Sequence, residues 1–135
     1  MAGTITTLTI CRTCRPEGAA ADAEPAGSVL VRAVARAATD AAAVEVRAIA
    51  CQSACSRACS ATVAAAGKFS YVIGNLVPED AADLVAFAEA HAAAVDGVPP
   101  WRSRPERIRK NTIARVPPPG ADHPLVERLE PAGDA

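Results

Sequence analysis

The chain has 135 residues, 14 of them basic and 15 acidic, so its net charge of −1 points to no polyanionic partner or membrane surface. The length suits one compact domain rather than two. Half of the residues are apolar, yet only two Phe, one Trp and one Tyr are among them and alanine dominates. The core is therefore thin for its length and would gain from a metal staple.

Residues 4–10, TITTLTI, alternate β-branched polar and apolar side chains and predict a half-buried strand running straight into Cys11. Pro16, Gly18, Pro25 and Gly27 mark the next stretch as loop. Ser28 is the expected N-cap of a helix whose apolar positions are Val29, Leu30, Val34, Ala37 and Ala38, ending near Asp40. Residues 44–49, VEVRAI, predict a second strand with Val44, Val46 and Ala48 on one side, and it too runs into a cysteine, Cys51. Residues 61–66 form a short apolar run, Gly67 and Lys68 a turn, and residues 69–73 a strand with Phe69, Tyr71 and Ile73 on one face; the two strands predict a hairpin. Pro78 suits the first position of a second helix, with Glu79 and Asp80 in its first turn, continuing through Leu84, Val85, Phe87, Ala88 and His91 towards Gly97.

Pro99 and Pro100 end the regular pattern. Domain limits follow: a domain at 1–98, a basic extended arm at 99–118, and a Pro-, Gly- and Ala-rich tail at 119–135 expected to be poorly ordered. The element order is β-α-β-β-β-α. Its opening strand, crossover helix and strand form a parallel unit, and the whole order is the α/β thioredoxin-like one.

The first ten residues lack the basic start, apolar run and cleavage site of a secretory leader. No apolar segment reaches the roughly 18–20 residues that span a bilayer. The expectation is a cytoplasmic protein without a membrane segment. In a reducing compartment five cysteines suit metal binding or redox work better than a disulfide framework.

Cys11 and Cys14 form a C-x2-C pair, and Cys51, Cys55 and Cys59 a C-x3-C-x3-C run. Both groups follow predicted strands, so neighbouring parallel strands would bring four thiolates together from two loops. Thiolates are soft donors that suit Fe–S clusters, zinc or Cu(I), and the spacing alone does not choose among these. A lone C-x2-C after a first strand is also a thioredoxin redox motif, but Pro16 and Gly18 argue against the helix that motif requires, and it leaves the second group unexplained.

The stretch Cys51-Gln52-Ser53-Ala54-Cys55, followed by Gly67, Phe69 and Tyr71, resembles the second half of the thioredoxin-like [2Fe-2S] ferredoxins and of related subunits of respiratory complex I and NAD-linked hydrogenases. In that family a strand feeds a C-x3-C ligand pair, and a short strand, a Gly turn and an aromatic-bearing strand follow. The resemblance implies Cys51 and Cys55 as one ligand pair, Cys11 as the first ligand and Cys14 as the second, although the family's second ligand usually lies further along. Cys59 falls where that family has no ligand. From about residue 5 to 118 the chain also resembles a small bacterial family of predicted metal-binding proteins. The shared pieces are the two cysteine groups, a G-K-x-x-Y-V hairpin at 67–72, an R-P-E-like segment at 104–107 and A-R-x-P-P at 114–118. That resemblance implies a homodimer and a link to cobalamin synthesis or metal insertion.

The remaining candidates have plainer readings beside the functional ones. Cys59 is a spare or exchange ligand, a redox partner or a packed thiol. His91 and His123 read as ordinary polar residues rather than ligands. Arg12, Arg15 and Arg57 either offset the charge of an all-thiolate centre or are solvated. Residues 101–115 gather Arg102, Arg104, Arg107, Arg109, Lys110 and Arg115 against Glu106, with one aromatic and no recognition motif, so nucleic acid is not expected; an arm along an acidic surface comes first, and partner docking second. No catalytic constellation or phosphate loop is present, so the chain reads as no enzyme. Two functions remain. One is an electron carrier with a [2Fe-2S] cluster on Cys11, Cys14, Cys51 and Cys55, served by a redox partner protein. The other is a thiolate protein holding one Zn, Co or Cu(I) ion for a metal-inserting enzyme.

Overall fold

The computed structural model describes residues 4–131. In β1 (Thr6–Cys11), Thr6, Leu8 and Ile10 are fully buried while Thr7 and Thr9 are half-buried, which is the period of a strand with one covered face. The chain then crosses through α1 (Ala26–Ala37) to β2 (Val44–Ile49), which lies parallel to β1 with Thr6 opposite Val44 and Cys11 opposite Ile49. The hairpin of β3 (Ala61–Ala64) and β4 (Ser70–Ile73) joins the other edge of β1, antiparallel, with Leu8 opposite Val63 and Val63 opposite Tyr71. The helix α2 (Ala81–Ala93) follows, then a short helix α3 (Glu106–Lys110) and the last strand β5 (Thr112–Val116), antiparallel to β4. The sheet order is β2-β1-β3-β4-β5.

The helices α1 and α2 pack on each other and cover one face of the sheet. Leu30 and Val34 of α1 and Leu84, Phe87 and Ala88 of α2 share one core with Leu8, Ile10, Val63 and Ile73. Each fully buried Leu, Ile or Val there contributes about 1.5–3 kcal/mol. The other sheet face carries Thr7, Thr9, Thr62, Ser70 and Val72, all half-buried. Among the described residues no helix is long and apolar enough to cross a membrane.

The structure departs from expectation at four places. First, α1 begins at Ala26 with Pro25 as its N-cap; Ser28 lies inside the first turn and its hydroxyl donates to the carbonyl of Arg12 at 3.0 Å. Second, α2 is preceded by a 3-10 turn, Pro78–Asp80, where the Asp80 carboxylate accepts the Val77 N–H at 3.0 Å, and it ends at Ala93, four residues before Gly97. Third, the basic segment is no extended arm alone. It holds a 3-10 turn, Trp101–Ser103, then α3 and the fifth strand. Ile108 is fully buried, and Arg107 pairs with Asp80 at 2.8 Å. One buried apolar side chain in a charged run is too weak a periodic signal to reveal that anchorage. Fourth, within the expected tail His123 contacts Asp96 at 2.8 Å and Val126 packs against the core; residues 132–135 lie outside the described residues.

His91 is an internal tie. Its ring is fully buried, with Nδ1 2.8 Å from the Thr6 hydroxyl and Nε2 donating to the Phe69 carbonyl at 2.6 Å. This joins α2 to β1 and to the start of β4. Burial pushes its pKa below the usual histidine value, with the nearby Lys68 ammonium adding to the shift.

Candidate metal centre

Cys11 is the last residue of β1, and Cys51 stands two residues beyond the end of β2. Because Cys11 is level with Ile49, both cysteine loops leave the sheet at the same end, side by side. Parallel neighbours make that juxtaposition obligatory, since their C-terminal ends share an edge.

The first loop is pinned from three directions. Cys11 N–H donates to the Ser60 carbonyl at 3.1 Å and Arg12 N–H to the Ile49 carbonyl at 2.9 Å. The Thr13 hydroxyl donates to the carbonyl of Ala50, the residue before Cys51. Gly27 N–H donates to the Cys14 carbonyl at 3.0 Å, so the first turn of α1 sits directly on the loop. A Cβ at Gly27 would lie 2.1 Å from the Cys11 carbonyl oxygen, so only glycine fits this approach.

The second loop is tied to β3 by one amide. Gln52 accepts the Thr62 hydroxyl at Oε1 and donates from Nε2 to Ser60 Oγ at 3.3 Å. Ser53 has a positive φ of 60°, and its N–H donates to Cys51 Sγ at 3.3 Å. A 3-10 turn, Cys55–Arg57, follows, and the Arg57 carbonyl accepts the Asn75 N–H at 2.8 Å.

The thiols stand as two pairs, Cys11 with Cys14 and Cys51 with Cys55. Cys11 and Cys14 are buried; Cys51 and Cys55 are exposed. Burial opposes ionisation of Cys11, but its contacts with Cys14 and Thr13 and the backbone at Gln52 and Thr13 outweigh it and hold the thiol below its ordinary value. Burial, then the Cys11 partner, push Cys14 up to about 11. Cys55 is raised by its hydrogen bond to Cys51 and by the charge there, with Cys11 adding to the effect. Among the described residues no three His, Cys, Asp or Glu side chains form a group that could hold a metal ion; the array is two pairs rather than one cage.

Cys59 is fully buried in the core, its backbone paired with Leu76 at 2.9 Å, and burial raises its thiol first, the Cys11 charge second. His91 and His123 lie away from the cysteines, on Thr6 with Phe69 and on Asp96. Arg15 donates to the carbonyls of Ala20 and Ala23, so its guanidinium holds its own loop. Arg12 and Arg57 are exposed beside the cysteine loops. Thr13, Gly27, Ser60 and Thr62 shape the site without any sequence signal of their own; Gly27 read only as part of the loop before Ser28, whereas it lies in the first turn of α1.

A five-stranded sheet with β1-α1-β2 at its head and cysteine loops at the ends of both parallel strands defines the thioredoxin-like α/β class. Solved structures of the same class are similar to it. One is a thioredoxin-like [2Fe-2S] ferredoxin from Aquifex aeolicus, with TM-score 0.55 and 20% identity over 87% of this chain and 98% of that one. Another is the wild-type thioredoxin-like [2Fe-2S] ferredoxin from the same organism, with TM-score 0.53 and 18% identity over 82% of this chain and 97% of that one. At such identities the likeness speaks for the fold. The chain belongs to the family described as protein of unknown function (DUF1636), whose model matches residues 8–118 and so takes in all five cysteines and β5. No curated protein matches it.

Proposed function

We propose that the chain is a one-electron carrier that holds a [2Fe-2S] cluster through Cys11, Cys14, Cys51 and Cys55. The observation that carries this reading is the arrangement of two thiol pairs on loops leaving the adjoining ends of β1 and β2. A two-iron cluster takes its donors in two pairs, whereas tetrahedral zinc needs all four at one point. The donor chemistry fits: four soft thiolates, no imidazole, and backbone N–H groups, that of Ser53 among them, already directed at sulfur. Such a cluster, when bound, supplies a reversible one-electron change. The chain holds the two loops in register through Thr13 and Gln52, buries one thiol pair and leaves the other at the surface. Ligation by thiolates alone places the potential nearer the ~−400 mV of plant-type ferredoxins than the Rieske range.

Expression with iron and sulfide, followed by metal and acid-labile sulfide analysis and visible and EPR spectra, tests this. Two irons and two sulfides per chain are expected, with a signal on one-electron reduction. Colourless, iron-free protein after reconstitution refutes it. The same spectra place Cys59: Cys59→Ala retains the centre and destabilises the apoprotein by about 1–2 kcal/mol, as loss of a packed thiol does.

The surface position of Cys51 and Cys55 favours a second reading, a site that holds one Zn, Co or Cu(I) ion for hand-over to a metal-inserting enzyme. One non-iron metal without sulfide would identify it. In either reading the chain is no enzyme and acts with a protein partner. The chain is also read as a homodimer, as its family resemblance implies, and sedimentation equilibrium checks this.

A further inference from the structure

At the β5 edge of the sheet a cleft of about 270 Å³ is lined by Tyr71, Trp101, Arg104, Arg109, Thr112 and Arg115, among others. Three strand spacings, about 14 Å, separate β5 from β1, so this cleft is distinct from the cysteine loops. Trp101 is 64% exposed, and it gathers two cations: the guanidinium carbons of Arg109 and Arg104 lie 5.0 and 5.7 Å from its ring centroid. Arg104 also lies 5.6 Å from the Tyr71 ring centroid.

Two features of this cleft have no role within the fold. Among the described residues, no carboxylate forms an ion pair with Arg104, Arg109 or Arg115. Arg104 donates only Nε, to the Pro99 carbonyl, and Arg109 only one terminal nitrogen, to the Arg104 carbonyl; the rest of each fork has no acceptor. Backbone bonds thus orient two guanidinium groups and leave their donors open, which is an arrangement ready for an oxyanion. The Tyr71 hydroxyl is the one buried side-chain polar atom without a hydrogen-bond partner among the described residues, and Tyr71 forms part of the lining. A buried hydroxyl left unpaired in a folded protein calls for an explanation.

We propose that this cleft binds the phosphate group of a small molecule, with Arg104, Arg109 and Arg115 as its cationic clamp and Tyr71 as a neutral hydrogen-bonding group. Three guanidinium groups that form no ion pair match a dianion better than a single carboxylate. The volume lies just below the usual range of ligand pockets, which suits free phosphate or a compact phosphate ester rather than a large cofactor. The exposed Trp101 ring favours an ester that carries a planar group. This proposal stands apart from the assignment of the cysteines and holds whichever metal they bind.

Trp101 is the chain's only tryptophan, so its fluorescence reports on this cleft alone. Full-length protein is titrated with inorganic phosphate, adenosine 5′-monophosphate, adenosine and polyglutamate. Saturable change is expected with the two phosphates and not with adenosine. A monophosphate about tenfold tighter than phosphate assigns the planar group to Trp101; equal affinity assigns the site to phosphate alone. Arg115→Ala, which breaks no hydrogen bond in the structure, weakens phosphate binding about tenfold. Tyr71→Phe keeps the thermal midpoint equal or raises it, because it removes an orphan group, while weakening binding. The proposal is overturned by the absence of saturation with either phosphate, by adenosine binding as well as its monophosphate, by wild-type affinity in both variants, or by response to polyglutamate alone, which would mark an acidic protein partner.

Discussion

Gly27→Ala tests whether α1 positions the first cysteine pair. In an exposed helix this change stabilises a protein by about 0.4–1 kcal/mol, because glycine loses more backbone freedom on folding. Here the sign reverses. The new Cβ would stand 2.1 Å from the Cys11 carbonyl oxygen, 2.9 Å from the Arg12 carbonyl carbon and 3.0 Å from the Cys14 nitrogen, all of them backbone atoms that no rotamer change can move aside. Real Cβ contacts stay beyond 3.0 Å, so α1 and the loop must separate by about 0.9 Å. That movement lengthens the 3.0 Å bond from Gly27 N–H to the Cys14 carbonyl and the 3.0 Å bond from Ser28 to the Arg12 carbonyl. Overpacking of this kind costs about 1–3 kcal/mol, and the strained bonds add up to about 1 kcal/mol. Set against the gain in propensity, the net loss is about 2 kcal/mol, or roughly 6–10 °C in Tm for a chain of this size. Urea unfolding of the reduced apoprotein measures it, and cluster yield after reconstitution should fall with it. A Gly27→Ala protein as stable as the wild type, or more so, would refute the close approach of α1 to the cysteine loop.

Further outcomes follow from the polar ties. His91→Leu loses two buried hydrogen bonds and leaves the Thr6 hydroxyl and Phe69 carbonyl unpaired, at a cost of about 2–4 kcal/mol in urea unfolding. Because the native His91 pKa lies below the 6.5 of the unfolded chain, the unfolded state takes up its proton first as pH falls. Wild-type stability should therefore decline below pH 6.5 and level off once the native ring is protonated, whereas the His91→Leu protein should lack that step. The facing charges are Lys68, which deepens the shift, and Asp96, which opposes it. Gln52→Ala unties the second loop from Ser60 and Thr62; a loss of about 1–2 kcal/mol and faster alkylation of Cys51 and Cys55 are expected, and unchanged thiol kinetics would argue against this role. Arg107→Ala leaves the buried Asp80 carboxylate with only the Val77 N–H and is expected to cost about 1–2 kcal/mol, since the guanidinium itself is half-exposed. Asp80 is depressed in the native state, with the Arg107 hydrogen bonds overcoming its burial, so the wild type should lose this contribution as pH falls from 3.8 through the lower native value. Arg107→Ala should show a shallower acid limb.

Much of the architecture was legible along the chain because it rests on local pattern. The alternation around Leu8 and Ile10, the helical recurrence of Leu30 and Val34 and the Phe69-Tyr71-Ile73 face are one-dimensional signals of burial, and each reappears in the core. The two cysteine groups were placed at strand ends by adjacency alone, and parallel pairing of β1 and β2 followed from the intervening helix. What adjacency cannot express is contact between distant segments. The ties from Thr13 to Ala50 and from Gln52 to Thr62, the seating of Gly27 on the Cys11 loop, and the use of Ile108 and β5 to close the sheet edge depend on backbone atoms far apart in sequence. Composition and spacing thus determined the two cysteine groups, the strands and the crossover, because side-chain chemistry and periodicity are properties of the chain itself. Only the tertiary structure decided that one thiol pair is buried and the other exposed, that His91 is a core tie and that the arginines of the basic segment flank an open cleft, because orientation is set by packing, which no local pattern encodes.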